Sequence, residues 1–75
     1  MSGDRIMKLS ARNQLKGTVA SVTKGATTSH VSVDIGGGQK VLSSITNEAV
    51  DELGLKAGMS VVVVVKASDV MIGVA

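Results

Sequence analysis

Apolar and polar positions alternate most regularly between Ser29 and Ile35. Val31, Val33 and Ile35 fall on one side, His30, Ser32 and Asp34 on the other. A period of two residues is that of a strand with one buried face. Gly36-Gly37-Gly38 comes next and reads as the tight turn of a hairpin whose second arm is Gln39 to Ile45. Upstream, Asn13 to Val22 carries Leu15, Val19 and Val22 with Gly17 and Ala20 between them. This is a weaker strand pattern in which Gly17 marks a bend or bulge, and Thr23-Lys24-Gly25-Ala26 supplies turn chemistry. Asn47 to Leu53 reads as one short helix, with Glu48 in its first turn and Gly54 placed for a left-handed C-terminal cap. After the turn Lys56-Ala57-Gly58, Met59 to Val65 is a strand and Asp69 to Val74 the last one. Met1 to Lys8 has no periodicity and reads as an N-terminal arm before a single domain over residues 9–75.

Five strands with one short helix between the third and fourth give an all-β class, in the order of an OB-fold-like, five-stranded Greek-key barrel. Val61 to Val65 breaks the alternation: its consecutive valines put apolar groups on both faces, so the outer face needs a cover as well. Composition sharpens that need. A chain of 75 residues buries only about 60% of its unfolded surface. This one has no Phe, Tyr or Trp to fill a core and no Cys for disulfides or thiolate metal sites. It is nevertheless 44% hydrophobic, and burial against copies of itself is the remedy left. The expectation is an obligate homo-oligomer.

Charge adds less. The net +2 is dispersed along the chain, which suits an anionic partner without identifying one. Met1 to Leu9 contains Asp4, Arg5 and Lys8 and lacks the apolar core of a signal peptide. Val61 to Val65 is too short to span a bilayer. The reading is a cytoplasmic protein without a membrane partner. No Ser/His/Asp constellation or carboxylate pair supports an enzyme. A nucleic-acid-binding OB-fold module is the alternative that the basic pI suggests, but single-strand readers stack bases on aromatic rings, and this chain has none.

The candidate chemistry lies in Ser10-Ala11-Arg12-Asn13-Gln14 and Lys66-Ala67-Ser68-Asp69-Val70, each with a cation and a hydroxyl beside a strand end. A small tetrahedral dianion has only acceptor oxygens, and it leaves water only where those oxygens are bonded again. Ser10, Arg12, Lys66 and Ser68 form a donor set of that kind, in which a planar guanidinium fork and a compact ammonium balance two negative charges. Each also has a plainer reading: Arg12 as a solvated strand flank, Lys66 as a gatekeeper against edge pairing. Thr46 reads first as the N-cap of the short helix. Gly36-Gly37-Gly38 lacks P-loop spacing and is explained by a hairpin. His30, the one histidine, lies on a polar face without a cluster of metal ligands.

Ser10 to Gly17, Ile45-Thr46, Glu52 to Leu55 and Lys66 to Met71 together resemble the molbindins, small proteins built from one Mop domain, also called a TOBE domain. The resemblance covers nearly the whole chain from Met7. It implies a protein that binds molybdate or tungstate for intracellular molybdenum storage and homeostasis, without an organic cofactor or direct side-chain coordination of the metal. It further implies a hexamer assembled as a trimer of dimers, with oxyanion sites between subunits. Ser10, Ala11, Arg12, Thr46, Lys66, Ala67 and Ser68 are the implied site residues, with Ser10 and Arg12 from one chain and Lys66 and its neighbours from another. Two positions depart from the family pattern: Ala49 and Ala67 stand where relatives carry serine, and at each the backbone amide remains available.

Overall fold

The structure is a computed structural model and describes residues 13–75. The predicted N-terminal arm, with Ser10, Ala11 and Arg12, lies outside the described residues. Strands β1 (Asn13–Lys24), β2 (Thr28–Gly36) and β3 (Gln39–Thr46) precede helix α1 (Asn47–Leu53). Strand β4 (Ser60–Val65) and a single 3-10 turn, Ala67–Asp69, complete the order. The strands form one antiparallel sheet in the order β3-β2-β1-β4.

The alternation in β2 decides where the core sits. Val31 and Val33 are buried, with Val19 from β1 and Val50 from α1, and Ile35, Ile45, Leu55, Met59, Val61 and Val63 pack around them. His30 and Asp34 face solvent as the pattern predicts. The β2–β3 hairpin closes on Gly37 and Gly38 with φ of 64° and 78°. Two successive positive φ angles match a turn whose twist suits the flanking strands. Helix α1 has the predicted bounds and is stopped by Gly54 in the left-handed region (φ 63°, ψ 35°).

Two expectations for β1 are corrected. The strand continues through Thr23 and Lys24, so the turn is confined to Gly25–Thr27 and closed by the Gly25 amide donating to the Thr28 carbonyl at 2.8 Å. The bulge falls at Ala20, between the pairs Val19–Val33 and Ser21–Ser32, and not at Gly17, which pairs regularly with Val61. Gly17 is required by close approach instead. A Cβ there would stand 2.7 Å from both the Asp34 carbonyl oxygen and Val33 Cγ1.

The barrel expectation is corrected as well. Among the described residues there are four strands, and Asp69 to Val74 does not form a fifth. The 3-10 turn redirects the chain after β4, and no strand of the same chain pairs with residues 70–75. Met71, Ile72 and Val74 are about nine-tenths exposed (92%, 86% and 94%). A strand needs a ladder partner, and alternation alone cannot supply one. Both outer strands, β3 and β4, therefore keep an open edge among the described residues. In the valine run, Val61, Val63 and Val65 are half-buried, whereas Val62 and Val64 are exposed.

Candidate functional site

The last pair of the β1–β4 ladder joins Asn13 to Val65. Val65 directly precedes Lys66 in the sequence, and Arg12, the residue before Asn13, lies outside the described residues. Beyond Val65 the backbone leaves the sheet. Lys66 caps the 3-10 turn, its carbonyl accepting from the Asp69 amide at 2.9 Å, and the Val70 amide donates to the Ala67 carbonyl at 3.2 Å. The first amides of such a turn have no acceptor within it. Those of Ala67 and Ser68 accordingly have no partner among the described residues. Lys66, Ala67 and Ser68 are exposed, and Lys66 makes no ion pair among the described residues. The segment thus presents an ammonium, a hydroxyl and two amides, all of them donors.

Thr46 closes β3 and caps α1: its Oγ1 accepts from the Ala49 amide at 3.1 Å. The helical-cap reading is therefore correct. It leaves the hydroxyl proton for another acceptor, because a hydroxyl both donates and accepts. The expectation that the Ala49 amide remains available to an anion is corrected: it is spent on that cap. Thr46 pairs with Thr28 at the far end of β2, whereas Lys66 comes directly after Val65 at the near end of β1. One chain thus places Thr46 and Lys66 on opposite edge strands and toward opposite ends of the sheet.

Two residues that the sequence did not single out organise the β3–α1 junction. Asn47 Nδ2 donates to the carbonyl oxygens of Gly25 and Ala26 at 3.0 and 3.4 Å, and its backbone amide donates to the Thr27 carbonyl at 2.9 Å. Its Oδ1 accepts from Ser29 Oγ. Ser29 is fully buried, and its sequence signal is parity: it is a polar residue on the face of Val31, Val33 and Ile35. Nearby, Lys24 Nζ lies 2.6 Å from Asp51 Oδ1, but both side chains are at least half exposed, so solvent screens the pair.

Other features argue against different chemistries. The hollow on the inner face of the sheet is lined by apolar side chains, among them Val19, Val31, Val33 and Ile45, with Ser43 as its one hydroxyl; a single hydroxyl does not re-bond an anion's four oxygens. Among the described residues no group of three or more His, Cys, Asp or Glu can hold a metal cation. No helix there is long and apolar enough to cross a membrane.

Comparison with known proteins gives the family. The TOBE domain model matches residues 9–72. The chain belongs to the TOBE-domain family. Within it, the chain is 50% identical over 66 residues to molybdenum-pterin-binding protein 2 of Clostridium pasteurianum, covering 88% of this chain and 97% of that protein. This bears out the molbindin resemblance. The fold is similar to that of MopII from Clostridium pasteurianum, in an apo form, with a TM-score of 0.83 and 48% identity over 89% of this chain and all of the other (100%). It is similar also to the cytoplasmic molybdate-binding protein ModG with molybdate bound. There the TM-score is 0.87 at 48% identity, over 92% of this chain and 49% of ModG.

Proposed function

We propose that this TOBE-domain chain binds molybdate or tungstate as a tetrahedral dianion between subunits of a homo-oligomer, and serves molybdenum storage and homeostasis in the cytoplasm. The observation that carries the reading is the donor run after β4, where exposed Lys66 and Ser68 stand beside the amides of Ala67 and Ser68, which have no partner among the described residues. Arg12 supplies a donor fork and Lys66 a point charge. Ser10 and Ser68 add hydroxyls, and Ala67 and Ser68 add backbone amides. Ala11 contributes through its backbone. The site offers donors to the ion and leaves the metal coordinated by its own oxygens, so binding needs neither an organic cofactor nor turnover.

The register separates Thr46 from Lys66 within one chain, which supports a site completed by a second chain. Ser10 and Arg12 come from one chain and Lys66 with Ser68 from another, as the resemblance implies, and Thr46, which lies across the sheet from Lys66, reaches the ion from a chain other than that of Lys66. Self-association is supported by the two open sheet edges and by the exposed apolar segment Val70, Met71, Ile72 and Val74. A hexamer built as a trimer of dimers is the assembly proposed.

The test combines thermal denaturation with native mass spectrometry in molybdate, tungstate, sulfate and phosphate. Molybdate raises the melting temperature and adds mass to the oligomer, and Arg12→Ala removes the rise while the oligomer persists. An unchanged ligand response in Arg12→Ala would take that residue out of the site.

A further inference from the structure

The reading that Thr46 donates to the oxyanion leaves open what holds its hydroxyl in place. Oγ1 is committed to the Ala49 amide, so the direction of the remaining O–H is set by the backbone of the β3–α1 junction. Helix α1 has seven residues, too few to fix itself by its own ladder, and β3 is an edge strand. The junction is held from outside, by Asn47. That one residue spends its amide donors on Gly25 and Ala26, its backbone amide on Thr27 and its acceptor on the buried Ser29 hydroxyl. All these contacts reach the β1–β2 turn and the start of β2, the strand whose Thr28 is also the ladder partner of Thr46. A side chain that must meet a ligand oxygen within about 0.5 Å needs a supporting shell of this kind.

We propose that Asn47 is a positioning residue for the oxyanion site, acting on the ligand only through Thr46 by clamping the start of α1 to residues 25–29. The inference rests on the proposed binding function, and a double-mutant cycle read by molybdate titration of the full-length oligomer separates the two. Wild type, Asn47→Ala, Thr46→Val and the double variant are titrated with molybdate, and the denaturation midpoint of each is recorded alongside. The expected result is a loss of affinity of about tenfold for Asn47→Ala when Thr46 is present, and no further loss in the Thr46→Val background, a coupling within the range for residues in contact. Ser29→Ala removes only the buried bond to Asn47 Oδ1 and repeats the cycle if Asn47→Ala does not fold, with the same dependence on Thr46. Equal losses in both backgrounds overturn the assignment of Asn47, as does a variant that shifts only the denaturation midpoint. A wild-type oligomer that takes up no molybdate overturns the binding function and this inference with it.

Discussion

At Gly17, the missing side chain is a packing requirement. A methyl group there would press on the Asp34 carbonyl and on Val33 Cγ1, each 2.7 Å away, and Asp34 is held in the β1–β2 ladder opposite Thr18. Gly17→Ala is expected to lower stability by about 1–3 kcal/mol, the usual cost of overpacking, read as a lower urea midpoint at unchanged slope. Lys66 has the opposite character: it is exposed and makes no ion pair among the described residues. Lys66→Met is therefore expected to leave the denaturation midpoint within about 0.5 kcal/mol of wild type while weakening molybdate binding at least about tenfold, as removal of one partner of a charge-assisted contact does. Equal titration curves for Lys66→Met and wild type would return Lys66 to the gatekeeper role.

Among the elements, α1 depends on its two ends. Its only buried residue is Val50, and its C-terminus relies on Gly54 at φ 63°. Gly54→Ala forces a Cβ into the left-handed region and is expected to cost about 1–2 kcal/mol, with the loss seen first as faster amide exchange at Leu55, whose N–H donates to the Val50 carbonyl. This helix was legible in the sequence because capping is local: Thr46, Glu48 and Gly54 carry the signal within one short segment. The inward set Val31, Val33 and Ile35 was legible for the same reason. The last strand was misread because Asp69 to Val74 has the composition of a strand, whereas strandedness depends on a partner far away in sequence or in another molecule. The bulge at Ala20 was missed because the ladder of β1 against β2, not any residue type, decides where an extra residue sits. The proposed oxyanion site rests on separate motifs at 10–12, 46 and 66–68. The Asn13–Val65 register and the Asn47–Ser29 contact join segments 52 and 18 positions apart, and no local pattern encodes either.

At the scale of the whole molecule, the sheet keeps an open edge on β3 and on β4 among the described residues. Among the described residues the buried apolar core is Val19, Val31, Val33 and Val50, and three large apolar side chains at 71, 72 and 74 are exposed. Such a chain lacks the burial on which small domains depend. Removal of residues 70–75 is expected to convert the proposed oligomer to dissociated or poorly folded chains, measured as a loss of assembly mass in native mass spectrometry; an intact assembly would show that this segment is not its cover. Ligand bound between subunits stabilises only the assembled state. Molybdate at about 100 times its Kd is therefore expected to add about 2.7 kcal/mol per site to the assembly, visible as persistence of the oligomer at dilutions that otherwise dissociate it.

The open outer edges of β3 and β4 among the described residues also bear on the kinetics of maturation. If the missing ladder partners come from another molecule, the final step in acquiring native structure is a collision, not a rearrangement within one chain. Refolding followed by circular dichroism should then be second order, its half-time falling to about half with each doubling of chain concentration.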